Sequence, residues 1–465
     1  MPIARTEGKM LCYGYPAQGE IKGRTKAERS ENEAFHHRQA LPAGDPRTGA
    51  HMSERLRADA AQIVAESIRA VLPDEAVRRA LEGRTFPGRV LLIAAGKAAW
   101  RMAAQAERTL GGALTAGIVI TKYGHAAGDI PRVACFEGGH PLPDENGFRA
   151  TERALALTRG LAADDTVLLL LSGGGSALFE LPAIPAAELV DVYTQLLRCG
   201  ADIVETNTVR KRLSLVKGGR FAAHCAPARV IAVILSDIVG DPVDMIASGP
   251  VSPDPSTAEA ARSIAEKYAL RLSPAAWARL EMETPKRVDN TETLVTGSVR
   301  LLCRTAQRTC ETLGYRASLI TAALPGEARE AGTRLASLLC AHAGGGEDIA
   351  LIMGGETTVR VTGQGLGGRN QELALAAAAV LDGLPDAAVF SVGSDGTDGP
   401  TDAAGGYADG GTAEALREKG LDIAAVLANN DAYHALFAVG GLLVTGPTGT
   451  NVNDVSVALI RRKQT

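Results

Sequence analysis

The run Ser172-Gly173-Gly174-Gly175-Ser176 leaves the apolar stretch TVLLLL and enters a helix-forming segment. Three glycines between two serines let backbone N–H groups converge on an anion that Cβ atoms would push away, and a helix start adds favourable partial charge. This is phosphate-cradle chemistry. Two rival glycine motifs fail. Leu178 stands where a GxSxG nucleophile elbow needs glycine. Gly96-Lys97 has Leu91 and Ala98 where a Walker A loop needs Gly and Ser/Thr.

Other reactive side chains also follow apolar runs. Lys97, in the small-residue turn AAGKAA, is a flexible point charge suited to a transferring phosphoryl group, with a solvated lysine as the plain alternative. In NTVRKRLSLVKGGR the spacing predicts a helix running to Gly218, with Arg210 and Lys217 on an anion-binding face. SDIVGD offers Asp237 and Asp241 as carboxylates for Mg²⁺, against Asx-turn and capping roles. GSDGTDGPTDAAGG gathers Asp395, Thr397, Asp398 and Asp402 in what reads as a nucleotide or metal loop; it lacks the glutamate of a calcium-binding hand. Gly363, Gly365 and Gly368 spell GxGxxG, but no acid stands at the spacing a dinucleotide site requires. The motif, with the Arg369 fork and Asn370 behind it, is expected to recognise substrate or phosphoryl groups.

The elements that must hold these residues alternate. Ala60, Ile63, Val64, Ile68 and Val71 form a helical stripe. The runs VLLIAA, AGIVITK, TVLLLL and ARVIAVIL are expected as strands buried on both faces of a parallel sheet. Ser256 and Glu259 predict a capping box. Apolar runs repeatedly empty into small polar loops (AAGKAA, SGGGSA, SDIVGD, GGETT, GSDGTDG, TGPTGTN), where α/β sheets bind ligands. The expected division is a disordered or non-native extension over 1–52, an α/β domain over 53–288 and a second over 289–465, with the boundary in the charged stretch EMETPKRVDNTE.

Composition narrows the partners. The 465 residues are 46% hydrophobic and 22% charged with net charge −4, so no global basic field attracts nucleic acid or an anionic membrane. No apolar run reaches membrane-spanning length, and the seven cysteines are scattered without CxxC spacing. A soluble, cytoplasmic chain with reduced thiols is expected.

Together AAGKAA, LSGGGSAL, NTVRKRLSLVKGG, SDIVGDPVDMIASGP, GGETTVRVTGQGLGGRNQE, SDGTDGPTDAAGG and TGPTGTNVND resemble the glycerate 2-kinases that carry a C-terminal MOFRL domain. The resemblance covers nearly everything after Ser53, with Arg212 and Val251 departing from the family's common histidine and threonine. It implies a larger Rossmann-like α/β domain, a smaller α/β MOFRL domain and an active site in the cleft between them. It also implies transfer of the γ-phosphoryl of ATP to the 2-hydroxyl of D-glycerate with a divalent ion such as Mg²⁺, Lys97 and Arg369 being essential. On that reading Ser172 to Ser176, Asp395, Thr397 and Asp398 hold nucleotide; Arg210, Lys217 and Asn370 hold substrate; Asp237 and Asp241 hold metal. A homo-oligomer is compatible with it. The alternative is a hydroxypyruvate reductase using NAD(P), a label some relatives carry.

Overall fold

A computed structural model describes residues 50–462. Of the extension expected over 1–52, residues 1–49, with Cys12, lie outside the described residues, whereas 50–52 already belong to the helix Ala50–Ala70.

The first sheet consists of β1 (Val90–Ala95), β2 (Leu114–Lys122), β3 (Val133–Gly138), β4 (Thr166–Leu171), β5 (Arg229–Leu235) and β6 (Thr291–Gly297). All neighbours are parallel, in the order β3-β2-β1-β4-β5-β6. This is the doubly wound order of nucleotide-binding sheets, whose direction of growth reverses between β1 and β4. Alternate residues serve opposite cores: Leu91, Ile93, Val167 and Leu169 pack on one face, Val90, Leu92, Leu168 and Leu170 on the other. Continuous apolar strands follow from that two-sided burial, as the sequence predicts. At the reversal point, the chain leaving β1 enters Gly96-Lys97 and the chain leaving β4 enters Ser172–Ser176.

The second sheet consists of β7 (Arg316–Leu324), β8 (Ile349–Gly355), β9 (Ala387–Gly393), β10 (Gly405–Asp409), β11 (Leu442–Leu443) and β12 (Asp454–Ile460), in the order β11-β10-β9-β12-β8-β7. Only β7 and β8 are parallel neighbours; the other pairings are antiparallel. Because β12 runs backwards between β8 and β9, its first residue, Asp454, pairs with their last, Gly355 and Gly393. Reversal thus delivers a carboxylate to two strand ends at once.

Two elements sit apart from the linear division. β6 lies beyond residue 288 yet completes the first sheet beside β5. The helix Ala50–Ala70 packs on the helix Val299–Thr312 and on β9 of the second sheet. There Tyr315 Oη donates to Asp59 Oδ2 at 2.6 Å and the Arg57 guanidinium lies 4.4 Å over the Tyr407 ring. An apolar stripe specifies a buried face but not the sheet it meets. The predicted capping box is also displaced: Thr257, not Ser256, caps Ala258–Lys267, while Ser256 Oγ turns to Asp254 Oδ2 at 2.9 Å. Cys225, Cys303 and Cys310 are buried free thiols, consistent with packing.

Candidate active site

Each glycine of the cradle has its own reason. A Cβ on Gly173 would stand 2.5 Å from Asp237 Oδ2, and one on Gly175 would stand 3.0 Å from Ala247 Cβ. Gly174 has φ +88°, and a Cβ there would lie 3.0 Å from Cδ2 and 3.2 Å from Nε2 of His140 and 3.4 Å from Cγ of Lys97. The bare backbone therefore faces a carboxylate, an imidazole and a lysine stem. The Gly173 and Gly174 N–H groups donate to no protein acceptor among the described residues. Ser172 Oγ accepts from the Ala98 N–H at 3.1 Å and Gly173 O accepts from the Lys97 N–H at 2.9 Å, locking the two turns together.

Lys97 is exposed, and among the described residues its ammonium has no hydrogen-bond or ion-pair partner. Burial raises the Asp237 carboxyl above the ordinary carboxylate range; its own backbone N–H and the Lys97 charge oppose this, and the Glu356 charge adds to it. Burial, then the charges of Lys97, Lys122 and His125, pushes His140 down to about 4, so its ring is neutral at pH 7.

On the second sheet, Arg369 opens the helix Arg369–Leu381. Its Nε and Nη2 donate to Asp454 Oδ2 and Oδ1 at 2.6 and 3.0 Å, and Nη1 donates to Glu356 Oε1 at 2.9 Å. Burial pulls the guanidinium down, but the hydrogen bonds and charge of Asp454, with Glu356 behind, leave a net rise. The fork is fixed by β12 on one edge and the residue after β8 on the other. The Lys97 and Glu356 charges act on the Asp237 carboxyl in opposite directions. A further tie runs beside them: Arg101, one turn beyond Lys97, grips Asp74 at 2.9 Å and donates to Thr448 O at 2.5 Å.

Several expected ligand contacts are occupied by protein. The GxGxxG loop is packed shut: Gly363 abuts Asn429 and Gly365 abuts Asp431, while the Gly363, Gly365 and Leu366 N–H groups donate to Asn430 Oδ1, Asn429 O and Asp431 Oδ1. Its glycines permit close approach of chain to chain, so it offers no anion cradle. Asp398 accepts from the N–H groups of Asn370 at 3.1 Å and Gln371 at 2.9 Å, capping the Arg369 helix from inside rather than facing a nucleotide. Asn370 is buried, with Nδ2 on Asp398 at 3.2 Å and Oδ1 accepting from Ser391 Oγ at 2.5 Å; it braces Arg369 instead of presenting an amide to substrate. Asp395 Oδ1 accepts from the Thr397 N–H at 3.0 Å in a local turn, which leaves Thr397 exposed.

The basic segment also differs from expectation. Its helix is Ile203–Leu213 and stops at Ser214, so Lys217 is not on the helical face. Lys217 is fully buried: Nζ donates to Ser176 O at 2.7 Å and Phe179 O at 3.0 Å and pairs with Glu180 at 3.4 Å. It supports the cradle from beneath and has no face left for a carboxylate. Lys211 and Arg212 are buried as well, both paired with Asp254. Arg210 lies half-buried over Tyr193 at 4.5 Å, its Nε without a partner. Asp241, at φ +55°, keeps a buried Oδ1 without a partner.

Sequence reasoning did not single out His140, Glu356 or Asp454. Glu356 stands in the loop GGETT and Asp454 closes the segment TGPTGTNVND; a carboxylate directly beside an apolar run was the available signal. His140 had none, since only the fold brings the segment after β3 against Gly174.

A model for a domain of unknown function, DUF4147, matches residues 59–281, and the MOFRL family model matches residues 349–454. The D-glycerate 2-kinase of Thermotoga maritima is 49% identical over 88% of this chain and 99% of its own length. The chain belongs to the MOFRL-domain glycerate kinases. A crystal structure of the Thermotoga maritima glycerate kinase superposes with a TM-score of 0.85 at 49% identity, covering 88% of this chain and 100% of that one. A putative hydroxypyruvate reductase of Agrobacterium vitis is 38% identical over 80% of this chain and 87% of its own. No helix among the described residues is long and apolar enough to cross a membrane.

Proposed function

We propose that this chain transfers the γ-phosphoryl group of ATP to the 2-hydroxyl of D-glycerate, in a site formed between the strand ends of its two sheets. The observation that carries the reading is the bare Gly173-Gly174 backbone, whose N–H groups have no protein acceptor among the described residues and which lies against Asp237, His140 and the Lys97 stem. The donor phosphates sit on the Gly173 and Gly174 N–H groups. Lys97, free to reach outward, and Arg369, held rigidly, neutralise the charge that spreads over the transferring group. Arg210 is the remaining candidate for the glycerate carboxylate. Domain membership follows the sheets, with β6 in the first part and the helix Ala50–Ala70 in the second.

The residues fit a phosphate-bound magnesium. Asp237 supplies one carboxylate beside the cradle and Asp241 has an unpartnered buried oxygen; Mg²⁺ commonly takes one or two carboxylates with phosphate oxygens. When bound, the ion would offset phosphate charge. Soluble substrates of this kind fit a cytoplasmic enzyme.

The reductase reading loses its main support because the GxGxxG glycines are packed against residues 429–431. Incubation with D-glycerate and ATP·Mg²⁺, or with D-glycerate and NAD(P), separates the two. ADP and 2-phosphoglycerate are expected, with no NAD(P)H; NAD(P)H formation without ADP would reverse the assignment.

A further inference from the structure

The proposed transfer requires the 2-hydroxyl to lose a proton as its oxygen bonds to phosphorus. Two uncommitted groups flank the cradle. Asp237 stands on the Gly173 side, where a phosphate-bound cation would use it. His140 stands on the Gly174 side with the Lys97 stem. We propose that His140 is the catalytic residue that accepts the hydroxyl proton. This assignment rests on the kinase reading above.

His140 follows β3 by two residues, and neither ring nitrogen has a hydrogen-bond partner among the described residues. Its Nε2 would be 3.2 Å from a Cβ on Gly174, so the ring lies directly beside the bare peptide that receives phosphate. The charged and titratable groups around it are Lys97 after β1, Lys122 ending β2 and His125 in the following loop. The nearest carboxylate along its own segment, Asp144, is taken up by Tyr123 Oη at 2.5 Å and by capping the helix Glu145–Leu157. A neutral imidazole among cations keeps a free lone pair, which is what an acceptor needs. Arrival of two anionic substrates offsets the surrounding positive field and raises the proton affinity of the ring in the loaded site.

The step balances. The glycerate oxygen forms the new O–P bond, and the bond from the γ-phosphorus to the bridging oxygen breaks with its electron pair leaving on ADP. The hydroxyl proton passes to His140 and from there to water after product departs.

The test uses the full chain with His140→Asn, His140→Gln and His140→Gly. Turnover at saturating substrates should fall about a hundredfold in the first two, while ATP affinity, read by displacement of a fluorescent nucleotide, stays within about twofold of the parent. Added imidazole should restore about tenfold of the lost rate to His140→Gly, a response that a purely structural ring does not give. Parent-like turnover in His140→Asn or His140→Gln would overturn the proposal, as would loss of ATP binding in step with turnover and no response to imidazole. Failure of the parent itself to form ADP from D-glycerate is visible before any variant is made and would overturn the kinase reading, and this assignment with it.

Discussion

The charge of Glu356, just past β8, adds to the burial that raises the carboxyl of Asp237, just past β5 of the other sheet. Glu356 in turn holds Arg369, and Asp237 lies against the glycine next to Lys97's turn. On the proposed reading the two cations act on one transferring group. Lys97→Ala and Arg369→Ala should each lower turnover about a hundredfold or more. Their combination should cost clearly less than the product of the two, because groups acting on one transition state are not additive. Lys97→Ala should melt within about 1 °C of the parent, since the exposed side chain touches little.

Rigidity of the Arg369 fork depends on Asp454. Asp454→Asn should lower kcat/KM about tenfold or more, through loss of the charge that orients the guanidinium at two points. Glu356→Gln, at a side chain 49% exposed, should do less. Arg369→Lys should not rescue the function, because an ammonium cannot reproduce a planar two-point fork. Steady-state kinetics on the three variants check the order.

Gly174→Ala and Gly160→Ala form an internally controlled pair. Both glycines have positive φ, +88° and +66°, but nothing lies within 4 Å of a Cβ on Gly160 whereas His140 and Lys97 crowd the one on Gly174. Each should lose about 1 kcal/mol of stability from backbone strain. Only Gly174→Ala should also lose ATP binding, measured by nucleotide displacement.

Lys217 and Glu180 are both fully buried, so Lys217→Met leaves an uncompensated carboxylate under the cradle. A loss of about 3–5 kcal/mol is expected in chemical denaturation. Lys217→Met combined with Glu180→Leu should recover part of it: the countercharge is no longer needed, but the Ser176 and Phe179 carbonyls and Tyr193 Oη still lose their partners. Recovery of stability without recovery of ATP affinity would locate the role of Lys217 in holding Ser176.

Asp398 gives the stability curve a defined slope. Burial raises its carboxyl from 3.8 to about 6, against the pull of the Asn370 and Gln371 N–H groups. The folded state therefore holds this proton more tightly than the unfolded chain. That contribution is full below about pH 4 and is lost as pH rises through about 6. Between those limits the parent should lose up to about 3 kcal/mol relative to Asp398→Asn; urea denaturation at several pH values measures the difference.

The sequence carried much of the first sheet. VLLIAA and TVLLLL are apolar throughout because both faces of β1 and β4 are covered, and the polar turns behind them mark where their carboxyl ends open. Lys97 and the glycine run were legible for the same local reason. What lay beyond local pattern was pairing at a distance. GxGxxG cannot reveal that residues 429–431 fill it. The spacing of Arg210 and Lys217 cannot show that the helix stops at Ser214 and turns the lysine inward. The stripe of the helix Ala50–Ala70 does not name the second sheet as its partner, and His140 becomes a neighbour of Gly174 only when β3 is placed two strands from β1.

The most direct measurement is a crystal structure of the protein with a non-hydrolysable ATP analogue, Mg²⁺ and D-glycerate. The account predicts phosphate oxygens on the Gly173 and Gly174 N–H groups, with Lys97 and Arg369 both in contact with the terminal phosphate. Phosphates lodged elsewhere, with Lys97 and Arg369 facing different ligands, would contradict it.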